Sequence, residues 1–298
     1  MTLFLLAVAL PLPLDWLLGG AGRAALVRGY AGLKVHGLGV SATPRVILGE
    51  GGWLFLRPEA EANYLPADDP ALDTRLDRWR AALLARRDWL AARGVRYLVV
   101  VAPEKQSVYP ERLPAAERRR GPTPLDRLLA ALPADVNWRV LDLRDPLTRA
   151  RADGDVYLRT DTHWNDRGGR AAAAAVLSAL ADWFPGVTPP APVAMTATRE
   201  FRRGDLARLM GLDGAMPEQI PVAERLSARP HRDGVPGVVL FHDSFATAGG
   251  FAEELADHCG RLTLTRTYGF DQAVIARERP AVVVQEFAER VVQGLSPK

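Results

Sequence analysis

The sequence predicts an α/β protein built on a doubly wound, mostly parallel sheet, and three observations predict it. The short runs Tyr97-Leu98-Val99-Val100-Val101, Val238-Val239-Leu240-Phe241 and Ala281-Val282-Val283-Val284 are almost continuously apolar, as strands covered on both faces are. Stretches with apolar residues at three- to four-residue spacing, the period of a helix, lie between them. The two patterns alternate from Val46 onward, which favours helices packed on both sides of a parallel sheet over separate all-α and all-β parts. At 298 residues, 48% hydrophobic and 24% charged, the chain is long enough to bury a sizeable core without staples.

The elements follow in order. Ile47 to Leu56 reads as a strand, a Gly51-Gly52 turn and a second strand, hence a hairpin. A helix from about Asp73 to Ala92 carries Leu76, Trp79, Leu83, Leu84, Trp89 and Leu90 at helical spacing, and Gly94 ends it. After the strand Tyr97 to Val101 come a helix at Leu125 to Leu132, a strand at Arg139 to Leu143, a strand entering Tyr157 to Thr160, and an Ala-rich helix from Gly169 to Trp183. Pro185 to Pro192 is a proline-rich break, and Val193 to Asp233 is polar and irregular, as in an inserted lobe or lid. The α/β pattern resumes with strand Val238 to Phe241, helix Ala246 to His258, strand Leu262 to Leu264, helix Asp271 to Arg277 and strand Ala281 to Val284. There is no internal repeat.

Residues 1–22 read as a signal peptide or N-terminal membrane anchor. The uncharged apolar run Thr2 to Leu14, broken by Pro11 and Pro13, precedes Asp15 and the small-residue stretch Gly19-Gly20-Ala21-Gly22. No Lys or Arg precedes that run, and the competing reading is a buried N-terminal helix. Charge excludes less. The formal net charge of +3 comes from 38 Lys+Arg against 35 Asp+Glu, a near balance with scattered arginines that speaks against nucleic-acid binding. Arg118-Arg119-Arg120, between Glu117 and a Gly-Pro turn, reads as a solvated loop. The lone Cys259 excludes an intramolecular disulfide and a multi-cysteine zinc site and leaves the compartment open.

Two strings carry chemistry: Asp161-Thr162-His163-Trp164 and His242-Asp243-Ser244-Phe245. The chain has only six serines and five histidines, and these strings supply a serine, a histidine base and a carboxylate at predicted strand ends, where open α/β sheets collect functional groups. Ser244 follows a strand and precedes the predicted helix, so its hydroxyl would sit where free backbone N–H groups can stabilise an oxyanion; the alternative is that Asp243 and Ser244 merely cap that helix. In an extended segment Asp161 and His163 project to one side, and a carboxylate beside an imidazole can fix the Nδ1–H tautomer and free Nε2 as a base. A metal pair or a surface pair would share the Asp-x-His pattern, but no third ligand is evident nearby, so no metal and no other cofactor is expected.

Four stretches in order resemble one family: Leu48-Gly49-Glu50-Gly51-Gly52-Trp53-Leu54-Phe55, Val101-Ala102-Pro103-Glu104-Lys105-Gln106-Ser107-Val108-Tyr109-Pro110-Glu111, Asp161-Thr162-His163-Trp164 and Asp243-Ser244-Phe245. They are similar to the SGNH-hydrolase-like alginate O-acetyltransferases of bacterial exopolysaccharide secretion, over roughly residues 45–295. The resemblance implies an SGNH-hydrolase-like domain in the periplasm that moves acetyl groups onto polysaccharide hydroxyls, with a membrane-bound O-acyltransferase as partner and acetyl supplier. It implies Ser244 as nucleophile, His163 as general base and Asp161 as its orienting carboxylate; because the order Asp-His-Ser reverses the usual one, it also implies a circularly permuted fold. His242 stands where the family pattern has Gly, and is a second candidate base. Lys105, Tyr109 and Arg290 fall in family-like stretches, where core packing or salt bridging would explain them equally well. The alternatives to a transferase are a polysaccharide acetyl esterase and a non-catalytic carbohydrate-binding component of a secretion complex.

Overall fold

A computed structural model of the chain describes residues 11–58, 65–119, 121–136, 138–190, 194–223 and 234–297, with side chains from residue 19 onward. The run Thr2 to Leu14 therefore lies largely outside the described residues. From Pro11 to Gly32 the backbone is helical (α1), interrupted at Gly19, whose φ of 60° falls in the left-handed region. Among the described residues, no helix is long and apolar enough to cross a membrane.

The hairpin forms between β1 (Val46–Leu48) and β2 (Leu54–Leu56), antiparallel around Gly51 and Gly52, both of positive φ. The first long helix, α2 (Pro70–Ala91), is capped by Asp69, whose carboxylate accepts the Ala71 amide, and buries Leu72, Leu76, Trp79, Leu83 and Leu90. β3 (Arg96–Ala102) leads into the single turn α3 (Lys105–Val108), then α4 (Pro124–Ala130), β4 (Trp138–Asp142) and α5 (Arg144–Ala150). The Ala-rich α6 (Asp166–Ala181) is followed by β5 (Met195–Phe201), α7 (Asp205–Leu209), β6 (Glu218–Ala223), β7 (Val238–His242), α8 (Phe251–Asp257), β8 (Leu262–Arg266), α9 (Gln272–Glu278), β9 (Val282–Ala288) and α10 (Val291–Gly294).

Five strands form one parallel sheet in the order β4-β3-β9-β7-β8. The last strand of the chain thus lies at its centre, with Val284 paired to Leu98 of β3 on one side and Leu240 of β7 on the other. One helical layer is α2, α4 and α10, with α2 on β3; α5, α6 and α8 form the second. Because β3 connects outward to β4 and β7 connects outward to β8, the crossovers diverge around β9. Crevices open at the carboxyl ends of strands where crossovers diverge in this way.

Three expectations need correction. Tyr157 to Thr160 forms no strand: among the described residues it makes a single antiparallel bridge, Tyr157 to Trp164, since the chain turns back on itself within seven residues, and its carbonyls are taken by Lys105 and, at Arg159, also by the Leu54 amide. The polar stretch after Pro192 is not irregular; β5 and β6 pair as an antiparallel ribbon, exposed along most of β5, so no apolar alternation announces it. Residues 191–193 and 224–233 of that stretch lie outside the described residues. The helix expected from Ala246 to His258 is split into a 3₁₀ turn, Phe245–Thr247, and α8, because Gly249 and Gly250 both have positive φ.

Gly249 and the start of α6 meet closely. A Cβ on Gly169 would lie 2.2 Å from the Gly249 carbonyl oxygen, and one on Gly168 would lie 2.1 Å from that of Val156. Both partners are backbone, so neither can yield cheaply. Gly169→Ala is expected to destabilise the protein by about 1–3 kcal/mol, read as a lower midpoint in urea unfolding, with a greater loss of activity than of stability because the displaced turn follows Ser244.

Candidate active site

Ser244 sits just beyond the carboxyl end of β7, and His163 on the loop that runs from Val156 to α6. Their side chains, 81 positions apart, meet: Ser244 Oγ lies 2.8 Å from His163 Nε2. His163 Nδ1 lies 2.6 Å from Asp161 Oδ1, a carboxylate that can only accept, so Nδ1 carries the proton and Nε2 presents its lone pair to the serine hydroxyl. The loop is tighter than the extended segment expected from the sequence. Asp161 Oδ1 also accepts the His163 amide at 3.0 Å, and Oδ2 accepts the Asp205 amide at 2.9 Å. Burial opposes the charge of Asp161, but the hydrogen bonds from the His163 ring and from these two amides outweigh it and hold the carboxyl below its ordinary value.

Aromatic packing fixes the ring. The Phe245 ring lies 4.9 Å from both the His163 and the Trp164 ring centroids, and Trp164 donates its indole N–H to the Ala248 carbonyl at 3.0 Å. Trp164 is fully buried, so it ties the base loop to the nucleophile turn from within the core. A cavity of about 280 Å³ opens beside His163, lined by Asp161, His163, Trp164, Asp166, Arg199 and Phe201, among others. The ribbon thus supplies one wall of the site, which its polar sequence did not foretell.

The turn after Ser244 differs from the helix start expected. A 3₁₀ turn, Phe245–Thr247, follows Ser244 where the sequence predicts an α-helix, α8 begins only at Phe251, and the Phe245 amide is spent on Asp243 Oδ1 at 2.8 Å. Asp243 is a brace. Its Oδ2 accepts the Ala288 amide at 2.8 Å and its own amide donates to Glu286 Oε2 at 3.1 Å, which joins the ends of β7 and β9. Burial, reinforced by the Asp243 charge, pushes the Glu286 carboxyl well above its usual range. His242, the second candidate base, is turned away: its Nδ1–H donates to the Asp243 carbonyl at 2.6 Å, and the imidazole bonded to Ser244 is that of His163.

The remaining family-like positions lie in supporting roles. Lys105 is buried, and its ammonium donates to the carbonyls of Leu158, Arg159 and Asp161 at 2.8, 3.1 and 2.6 Å. Burial brings its pKa down to about 8, against the pull of Asp161, Glu218, Asp205 and Glu104. Tyr109 packs against Trp53, with ring centroids 4.2 Å apart, and its hydroxyl accepts the Val156 amide at 2.8 Å; burial raises its pKa to about 12. Arg290 donates to Glu104 Oε1 at 2.6 Å; burial opposes its charge, and Glu104 and Asp243 keep it protonated.

No motif in the sequence points to Asp205 or Glu218. Asp205 accepts the Thr162 amide on Oδ1 at 2.8 Å and the Thr162 hydroxyl on Oδ2 at 2.6 Å, while Glu218 accepts the amides of Arg159 and Thr160 at 2.7 and 2.9 Å. Both reach the loop from more than forty residues away, where no local spacing reveals them. Asp205 also supplies the third ligand type that the sequence lacked: Asp161, His163 and Asp205 offer ligand atoms within 4.8 Å of one another. The donor set does not fit a cation, since the facing atoms are already committed to one another and to N–H and O–H donors.

A five-stranded parallel sheet with Ser, His and Asp gathered beyond its strand ends is the arrangement of an SGNH-hydrolase-like domain. The chain belongs to the family of the SGNH hydrolase-like domain, acetyltransferase AlgX, whose model matches residues 46–257. The probable alginate O-acetylase AlgJ of Pseudomonas putida is 29% identical over 209 residues, 67% of this chain and 52% of that protein. Its Pseudomonas aeruginosa counterpart is 31% identical over 194 residues, 62% of this chain and 46% of that protein. The chain thus spans about half the length of the curated relatives it matches. Among solved structures, the O-acetyltransferase domain of Pseudomonas putida AlgJ superposes with a TM-score of 0.58 at 24% identity over 84% of this chain and 93% of that one. Bacillus cereus PatB1 does so at 0.59 and 13%, over 85% and 98%. These likenesses are of fold.

Lys105→Met leaves three carbonyls without their donor and is expected to cost about 3 kcal/mol or more. The folded chain releases this proton near pH 8 and the unfolded chain near 10.5, so unfolding takes up a proton between those values. Wild-type stability relative to the methionine variant should therefore rise with pH across that window, as urea titrations at stepped pH will read.

Proposed function

We propose that the chain is an O-acetyltransferase acting on hydroxyls of a secreted polysaccharide through an acetyl-Ser244 intermediate. The observation that carries this reading is the continuous hydrogen-bonded line from Asp161 Oδ1 through His163 to Ser244 Oγ. Ser244 Oγ attacks the carbonyl carbon of an acetyl donor and passes its proton to His163 Nε2; the tetrahedral intermediate then expels the donor's leaving group, which takes that proton. A sugar hydroxyl next attacks the acetyl carbonyl, gives its proton to Nε2, and collapse returns that proton to Ser244 Oγ as the acetylated sugar leaves. Asp161 keeps the imidazole in the Nδ1–H tautomer and offsets the imidazolium charge at each step.

The cavity beside His163 is where the acceptor would enter, and the names of the curated relatives, probable alginate O-acetylases, support a polysaccharide acceptor. On the motif resemblance, the proposed setting is the periplasm, with the N-terminus as leader or membrane anchor and a membrane-bound O-acyltransferase as acetyl supplier.

Ser244→Ala is expected to abolish acetyl transfer from an activated acetyl ester to oligosaccharide, and a serine-reactive phosphonate should form an adduct at Ser244 in the folded wild type; near-normal transfer by the variant would sink the proposal. Asp161→Asn should lower kcat by roughly 10⁴-fold. Acetate release that ignores added oligosaccharide would mark an esterase instead, and saccharide binding with no phosphonate adduct would mark a non-catalytic component.

A further inference from the structure

The histidine base has a second carboxylate within reach, delivered by a different element. Asp205, at the start of α7 between the two ribbon strands, accepts the Thr162 hydroxyl proton on Oδ2 at 2.6 Å. With its proton so directed, Thr162 Oγ1 turns lone-pair density to His163 Nδ1, 3.3 Å away, while Asp205 Oδ2 itself is 3.9 Å from that nitrogen. The Nδ1–H therefore faces two acceptors: Asp161 Oδ1 directly and Thr162 Oγ1, polarised by Asp205. The same Asp205 donates its amide to Asp161 Oδ2, so one residue touches both acceptors.

We propose that Asp205 is a positioning residue for the reaction, acting through Thr162 and Asp161 to hold the imidazole and to stabilise its charged form as the proton arrives from Ser244. The proposal rests on the Ser-His-Asp reading given above. A chain Asp205···H–O–Thr162···H–Nδ1, the longer arm of an Nδ1–H whose short bond goes to Asp161, places a second negative charge near an imidazolium. The geometry at Gly204 supports a fixed approach: a Cβ there would lie 2.2 Å from the Thr160 carbonyl oxygen, so the backbone preceding Asp205 is seated directly on the base loop. Glu218 braces the same loop at Arg159 and Thr160, yet no chain of this kind leads from it to the ring. Ribbon and α7 therefore do more than wall the cavity: they complete the surroundings of the base.

Two readouts test this. In the substrate-free protein, the proton NMR resonance of the His163 Nδ1–H should lie far downfield and move on Asp205→Asn and on Thr162→Val. It should stay in place on Thr162→Ser, which keeps the hydroxyl. In the acetyl-transfer assay, Asp205→Asn and Thr162→Val should each lower kcat by about tenfold to a hundredfold with KM little changed, and the double variant should be no worse than the poorer single one. A merely structural Asp205 would lower the melting temperature and leave resonance and kcat of the folded fraction at wild-type values, which overturns the proposal. If Asp205→Asn fails to fold, the Thr162→Val and Thr162→Ser pair decides by the same resonance. Activity that survives Ser244→Ala would defeat the acetyl-enzyme reading, while the resonance would still report whether Asp205 acts on the ring.

Discussion

A single buried ammonium sets the geometry on which the site depends. Lys105, just past the end of β3, donates to three carbonyls of the loop at Leu158, Arg159 and Asp161, and so converts a stretch that could have been a sixth strand into a tight turn. Those carbonyls point inward to the ammonium, while Asp205 takes the Thr162 hydroxyl on its carboxylate, 3.9 Å from His163 Nδ1, and gives its amide to the Asp161 carboxylate. Burying an ammonium is costly unless it is fully hydrogen-bonded, and three carbonyls satisfy all three of its protons. The cost of Lys105 and the order of the loop are two sides of one arrangement.

The same logic extends along the carboxyl ends of the central strands. Buried Glu104 after β3, Asp243 after β7 and Glu286 near the end of β9 form a row of ionisable groups, met by the half-buried Arg290 after β9. Glu104 is paired with Arg290, Asp243 accepts two amides, and Glu286 accepts the Asp243 amide on Oε2, with burial pushing its carboxyl well above the usual range. Such pairs contribute little net stability, because desolvation consumes most of the attraction. Their effect is to fix strand ends relative to one another. Ser244 inherits its position from that row, as His163 inherits its own from Lys105.

The ribbon after Pro192 joins these two supports from outside. It meets the base loop with two carboxylates, Asp205 and Glu218, and the cavity with Arg199 and Phe201. Its strands are short and polar, so their order comes from the bonds made to the loop as much as from their own pairing.

The sequence by itself determined the parallel sheet, the hairpin, the long helices and the three side chains that converge. Continuous apolar runs such as Val238 to Phe241 and the local strings around His163 and Ser244 are written in neighbouring residues, and local pattern is what a sequence displays. It also carried the family, through short motifs in a fixed order. The tertiary structure decided what those residues touch. Only folding brings Lys105 beneath a loop more than fifty residues away, sets Asp205 on Asp161 and Thr162, and turns His242 toward a carbonyl while His163 takes the serine. The break of the predicted helix at Gly249-Gly250 belongs there too, for a Cβ on Gly249 would lie 2.3 Å from the Asn165 carbonyl oxygen, a neighbour that exists only in three dimensions. Hydrogen bonds to a polar side chain depend on direction and distance, which sequence spacing encodes within a helix or a strand but not between elements.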